Sequence, residues 1–306
     1  MLTVILVVTV VFFAAGETEV KTLASSEKLK QTVYFLCSTE KPRNFKNKKV
    51  LDEVAQYIQQ SLDSSGIISW EQKYIYDSTE YKNIICRYGN DSLPKIVIGA
   101  HYDVCGDQPG ADDNASGVAG LLELARIFQK EKPQLDYCVE MVFYTLEEPP
   151  FFRTDYMGSY VHAKSLADAG TKVKFMASIE MIGYFSEEKK SQKYPVKLMR
   201  LFYGSKGNFI ALVGKPGMKK PVKKFKKRIN KHGMKAKKLI APAGLAGVDF
   251  SDHLNYWKFG FKAFMITDTA FMRNFSYHEK TDTPERLNYG YMANVVQGIY
   301  YSIIYY

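Results

Sequence analysis

Between Lys95 and Gly117 the chain constrains its own fold more tightly than anywhere else. Ile96, Val97 and Ile98 form a short apolar run, Gly99 and Ala100 follow, and His101, Tyr102 and Asp103 arrive where the run stops. Such a run between turn signals reads as a buried strand. In an open α/β sheet ligands sit at the carboxyl ends of strands, so His101 and Asp103 are delivered to a place suited to chemistry. A polar loop then leads through Gly110-Ala111-Asp112-Asp113-Asn114-Ala115-Ser116-Gly117 into apolar residues at helical spacing, Val118, Leu121, Leu122, Leu124, Ala125 and Phe128. Two carboxylates thus stand at a helix amino terminus, where Asp and Asn also serve as caps. Taken alone, the stretch fits either role.

The same device recurs downstream. Tyr137 to Leu146 is an apolar strand pattern with Glu147 and Glu148 at its far end, stopped by Pro149 and Pro150. Two such neighbours on a strand would point their side chains to opposite faces. Val173 to Met181 reads as a third buried strand, interrupted near its end by Glu180. A charge inside such a run costs several kcal/mol unless it is paired or bound to a metal, so Glu180 requires a partner.

Further elements complete the pattern. A helix is expected over Asn44 to Leu62, strands over Ile67 to Tyr76 and Tyr81 to Tyr88, and a helix over Met157 to Ala167. Strands at Phe209 to Val213 and Leu239 to Ala241 flank a basic helix, and Lys262 to Ile266 is the last strand, feeding the loop of Tyr277 and His278. Thr283 as cap with Pro284 at the first position predicts the start of the closing helix. Strands alternating with helices, without an internal repeat or linker, predict one mixed sheet with helices on both faces.

With 306 residues, 46% of them hydrophobic, the chain suffices for one large domain. Residues 1–16 hold an apolar run without charge and then Ala14 and Gly16, the pattern of a removable export signal, leaving 17–306 as one domain. The run is short for a bilayer span; an uncleaved membrane anchor is the alternative. Cys37, Cys86, Cys105 and Cys138 form no C-x-x-C pair, and free thiols are expected ahead of disulfides. The formal net charge is +10, which favours anionic partners without fixing a fold. Lys219 to Arg228 concentrates that charge, with Val222, Phe225 and Ile229 on one stripe. A solvated cationic face is expected there, with contact to an anionic surface as the sharper alternative and no specific nucleic-acid reading.

His101, Asp113, Glu148, Glu180 and His278 all fall at strand ends or just beyond them. Imidazoles with carboxylates suit zinc, and two nitrogens with three carboxylates suffice for a metal pair if one carboxylate bridges. The ordered series His101-Tyr102-Asp103, Gly110 to Gly117, Glu147-Glu148, Glu180-Met181-Ile182-Gly183 and Tyr277-His278 with Asp282-Thr283 resembles the co-catalytic zinc aminopeptidases of metallopeptidase family 28, from about Asn44 to the C-terminus.

That resemblance implies a three-layer α/β/α sandwich around a mixed, largely parallel sheet and two Zn2+ per chain. One ion would be held by His101 and Glu180, the other by Glu148 and His278, with Asp113 bridging. It further implies Asp103 orienting His101, Glu147 as general base and then general acid, Tyr277 steadying the oxyanion, and peptides as substrates. Glu180 stands where many members have Asp, and Pro149 to Thr154 replaces a commoner Gly-containing turn. Arg153 and Arg273, each close in sequence to a proposed site group, are candidates for gripping a substrate carboxylate. Ser251-Asp252-His253 is too contiguous for a nucleophilic triad and reads as pocket wall, while His162 and His232 read as ordinary surface or helix residues. The alternatives to a peptidase are a single-zinc cyclotransferase resembling glutaminyl cyclase and a non-catalytic relative that binds peptides or anions.

Overall fold

Apolar side chains that alternate along central strands decide the layering. In the strand Lys95–His101 (β3), Ile96, Ile98 and Ala100 join one core while Val97 joins another, as expected of a sheet covered on both faces. The computed structural model describes residues 22–306. The expected export segment at 1–16 lies outside the described residues. Among them, no helix is long and apolar enough to cross a membrane.

The strands are β1 (Ser69–Tyr76), β2 (Thr79–Tyr88), β3, β4 (Cys138–Tyr144), β5 (Val173–Glu180), β6 (Ile210–Gly214), β7 (Ala236–Ile240) and β8 (Ala263–Thr267), in spatial order β1-β2-β4-β3-β5-β8-β6-β7. The centre, β4-β3-β5-β8, is parallel, as is β6 with β7, while β1, β2 and the β6–β8 pairing are antiparallel. The sheet is therefore mixed and largely parallel, as the sequence pattern predicts.

One face buries the large core shared by helices α1 (Ser26–Cys37), α2 (Lys48–Asp63), α3 (Gly117–Glu131), α6 (Lys219–His232) and α8 (Tyr289–Ile304). The other is covered at its centre by α4 (Gly158–Asp168) and α7 (His253–Lys258). Towards β6 and β7 that second face carries a separate small core of Phe209, Ala211, Val213, Val248 and Met265, beside which the five-residue helix α5 (Met199–Tyr203) lies. Among the described residues no long helix sits there, and the gap forms the cleft described below.

Several boundaries depart from expectation for identifiable reasons. Helix α1 is additional to the expected elements, yet its signals are local: Ser25 accepts from Lys28 N, and Leu29, Val33 and Leu36 face inward. Helix α2 begins at Lys48 because Asn44 turns the preceding segment, accepting from Lys46 N and Asn47 Nδ2. Thr283-Pro284 yields only the single turn Pro284–Arg286; α8 starts at Tyr289, where Asn288 accepts from Tyr291 N. Strand β7 sits earlier than expected, at Ala236–Ile240. Helix α6 buries Val222, Phe225 and Ile229 as its spacing predicts. The four cysteines are free thiols.

Candidate metal centre

The site grows from loops beyond the carboxyl ends of β3, β4, β5 and β8, each fixed by a buried polar group. His101 ends β3, and its Nδ1 lies 3.2 Å from the Asp103 carbonyl oxygen and 3.6 Å from Asp103 Oδ1. The Asp103 carboxylate accepts from the backbone N–H groups of Glu147 and Glu148, both at 3.1 Å. One side chain therefore ties the ends of β3 and β4 together. Strand β4 stops at Tyr144, and Leu146 turns the chain with φ of 58°. The alternation expected of neighbours on a strand does not apply here: Glu147 and Glu148 each bring an oxygen within 4.8 Å of the same His101 nitrogen.

Asp113 lies on the irregular turn Ala111–Ser116 ahead of α3. Gly110 opens that turn with φ of 62°, and a Cβ there would come within 2.3 Å of Asp113 O, so the tight approach requires glycine. The Asp282 carboxylate accepts from the N–H groups of Asp112 and Asp113 at 3.1 Å. Asn114 donates to Ile179 O and accepts from Gly117 N and Met181 N, tying this turn to the end of β5 that carries Glu180. Ser251 Oγ donates to Glu180 Oε2 at 2.8 Å. His278 has φ of 61° and stacks on Tyr277 with ring centroids 3.8 Å apart.

These restraints converge on one arrangement. Asp113 presents Oδ1 to His101 Nε2 at 3.4 Å and Oδ2 to His278 Nε2 at 3.2 Å. Glu180 Oε2 is 3.4 Å from His101 Nε2, and Glu148 Oε2 is 3.4 Å from His278 Nε2. Two donors sharing one tetrahedral zinc at about 2.0–2.1 Å stand roughly 3.3–3.4 Å apart, whereas a good N–H···O bond is shorter. His278 Nε2 and Glu148 Oε1 are buried without a hydrogen-bond partner among the described residues. Two imidazole nitrogens and three carboxylates spaced in this way, with two of their buried atoms left unpartnered, fit a pair of divalent cations.

The electrostatics agree. Burial opposes charge on His101, yet Glu180 and Glu147 hold its pKa well above the usual histidine range. Burial likewise opposes charge on His278, which Asp113 and Glu148 raise to about 10. Burial, then Asp113, pushes Glu148 up to about 8, and burial raises Glu147 and Glu180. Only Asp113 falls, because the two imidazoles outweigh its burial. A divalent cation neutralises such an excess of negative charge and reverses this local logic.

The centre opens into a cleft of about 360 Å³ with apolar walls that include Phe152, Phe209, Phe250, Met265 and Phe271, and Tyr277 and His278 line its inner end. Neither arginine lines the cleft itself, although the Arg153 guanidinium packs 5.3 and 5.8 Å from the ring centroids of Phe152 and Phe250 in its wall. Arg273 is buried, donating to Gln192 Oε1, Tyr184 O and Phe209 O, so its guanidinium holds loops together. Arg153 is half exposed and paired with Asp249 at 2.7 Å. Ser251 serves Glu180 and His253 bonds to Val248 O, so no triad forms. His162 is a residue of helix α4, in keeping with the expectation, but it is buried there between Tyr256 OH and Glu140 Oε1. Sequence reasoning also missed Arg43, whose guanidinium clamps the carbonyls of Leu36, Tyr102, Pro109 and Gly110 beneath the site loops. In sequence it is one cation among several, with Lys41, Lys46, Lys48 and Lys49 close by, and nothing local marks it out.

Known proteins share the fold and the family of this chain. The family model for peptidase family M28 matches residues 83–303. An Escherichia coli protein described as uncharacterized protein YfbL is 45% identical over 285 residues, which is 90% of this chain and 87% of that one. The probable leucine aminopeptidase of Arthroderma otae is 25% identical over 260 residues, 80% of this chain; the chain spans only 63% of that relative's length. Among solved structures, the LapA aminopeptidase of Legionella pneumophila superposes with a TM-score of 0.72 at 19% identity, covering 98% of this chain and 78% of that one. The glutaminyl cyclase of Bacteroides thetaiotaomicron bound to N-acetylhistamine superposes at 0.69 and 20% identity, covering 92% and 97%. On the matched residues and on the relative at 45% identity, this chain belongs to peptidase family M28.

Proposed function

We propose that the chain is a two-zinc aminopeptidase that removes amino-terminal residues from peptides. The observation that carries this reading is Asp113 facing a different imidazole with each carboxylate oxygen. His101, Glu180 and Asp113 Oδ1 would hold one ion, and His278, Glu148 and Asp113 Oδ2 the other. When bound, zinc polarises the scissile carbonyl and lowers the pKa of the attacking water.

The rest of the chemistry falls to side chains. Glu147 Oε2 lies 3.9 Å from His101 Nε2, so its carboxylate would take the proton from water and return it to the leaving amine nitrogen. Tyr277 lines the cleft, and burial followed by Asp113 and the three glutamates raises its pKa far above the ordinary phenol value. Its hydroxyl therefore stays protonated and is suited to donate to the developing oxyanion. The apolar walls exclude water and favour a substrate with a large apolar side chain.

Assaying zinc-loaded protein on a panel of aminoacyl amides tests the reading. Hydrolysis by wild type that falls at least 10²-fold in Glu147→Gln, with metal content unchanged, is expected. The second reading, cyclotransfer, draws support from the superposed glutaminyl cyclase. Release of ammonia from amino-terminal glutaminyl peptides without peptide cleavage would replace the first reading with the second.

A further inference from the structure

Three lysines, Lys193, Lys237 and Lys238, line the cleft, and Lys237 is the one in register with the metal ligands. The Lys237 ammonium lies 3.6 Å from the centroid of the Phe209 ring and, among the described residues, forms no ion pair and no hydrogen bond. Both residues line the same cavity as Asp113, Glu148 and Glu180.

The sheet register fixes where Lys237 stands relative to the metal ligands. Glu180 is opposite Thr267, Thr267 opposite Ala211, and Ala211 opposite Lys237. Residues in register project to the same face of a sheet, and all four line the cavity. The row spans three inter-strand spacings, roughly 14–15 Å between its outer backbones. Its two inner members, Thr267 and Ala211, are small enough to leave a trough. Strand β6 runs antiparallel to β8, so Phe209, just ahead of β6, lies at the edge of the sheet where β5 and β8 end. With its amine over Phe209, the Lys237 side chain leans toward the edge that carries the metal ligands.

Resting on the peptidase reading, we propose that Lys237 anchors a substrate carboxylate at the far end of this trough, making the enzyme selective for short acidic ligands. At about 3.3–3.6 Å per residue, a row of this length accommodates a peptide of no more than about four residues. The carboxylate comes either from the C-terminus of a short peptide or from an acidic amino-terminal side chain. Burial, then Lys235, Arg273 and Lys226, pushes the Lys237 amine down to about 8. An incoming anion therefore relieves an unfavourable charge in an apolar wall.

The test compares wild type with Lys237→Met, which keeps length and loses charge, and with Lys237→Arg, which keeps charge. Metal content and melting temperature establish that each variant folds. kcat/KM is measured for leucyl di- and tripeptides as free acids and as C-terminal amides, and for substrates beginning with Glu against Gln. A preference of about tenfold or more for the acid, mostly in KM, is expected; it should collapse in Lys237→Met and persist in Lys237→Arg. Collapse in the acid/amide pair identifies the C-terminal source, and collapse in the Glu/Gln pair the side-chain source. No acid preference, or one that survives in Lys237→Met, overturns the proposal.

If zinc-loaded wild type cleaves none of the peptides, the peptidase reading fails separately, and a reduced-bond leucyl dipeptide as acid and as amide then tests the anchor by calorimetry. Tighter binding of the acid, lost in Lys237→Met, supports the anchor without turnover; equal or absent binding overturns it.

Discussion

Replacing Asp103 by Asn changes one oxygen to an NH2 group and leaves the side-chain shape intact. The native carboxylate accepts from Glu147 N and Glu148 N, both at 3.1 Å, with Oδ1 also 3.6 Å from His101 Nδ1. Hydrogen bonds to a charged group contribute about 1.5–3 kcal/mol each, and a neutral one about 1 kcal/mol. An asparagine retains one acceptor, turns a donor toward the second N–H, and relieves the cost of a buried charge. The net loss is about 2–3 kcal/mol, expressed partly as stability and partly as misplacement of Glu148 and His101. Groups that orient metal ligands typically influence affinity by about 10–100-fold. Competition against a chromophoric chelator reads the affinity, and denaturation of metal-free protein reads the stability. Asp103→Asn should weaken the tighter-bound zinc at least tenfold and lower kcat more than it raises KM. An affinity and a melting temperature both equal to wild type would refute the positioning role.

Two further predictions concern the scaffold. In Gly117→Ala the new Cβ would lie 2.3 Å from Asn114 Oδ1 and 2.7 Å from Ile179 O, breaking three Asn114 hydrogen bonds, two of which join the Asp113 turn to the end of β5. About 3 kcal/mol of stability should be lost, measured by urea denaturation, with metal content reduced. Glu140 is buried against His162, Lys95 and Arg87, and these partners hold its pKa low against the upward push of burial. Because the folded value lies below the unfolded one near 4.5, its stabilisation is complete above that pH and fades as pH falls beneath it. Glu140→Gln should cost about 3 kcal/mol at pH 7, with the gap to wild type closing between pH 5 and 3 in chemical denaturation. A gap independent of pH would contradict this.

Much of the molecule was legible in the chain because its main signals are contradictions of local rules. Glu180 inside an apolar strand and His101 at the end of another demand partners, and the structure supplies them to each other across 3.4 Å. The strands announced themselves through continuous apolar runs, and α6 through Val222, Phe225 and Ile229. What escaped depends on long-range geometry. Arg273 is close in sequence to the loop of Tyr277 and His278, but tertiary folding turns its guanidinium onto three loop acceptors. Glu147 and Glu148 share a centre because Leu146 adopts positive φ, which no periodicity encodes. Lys237 falls ahead of the strand expected at Leu239 to Ala241; only the register through Ala211 and Thr267 brings it to the cleft. His162 looked ordinary because its partners, Glu140 and Tyr256, are 22 and 94 residues away.

The central claim is that Asp113 bridges two ions, and anomalous diffraction at the zinc absorption edge from crystals of the zinc-loaded protein addresses it directly. Two peaks about 3.5–4 Å apart, one beside His101 and Glu180 and the other beside His278 and Glu148, are predicted. A single peak, or peaks away from Asp113, would contradict the account.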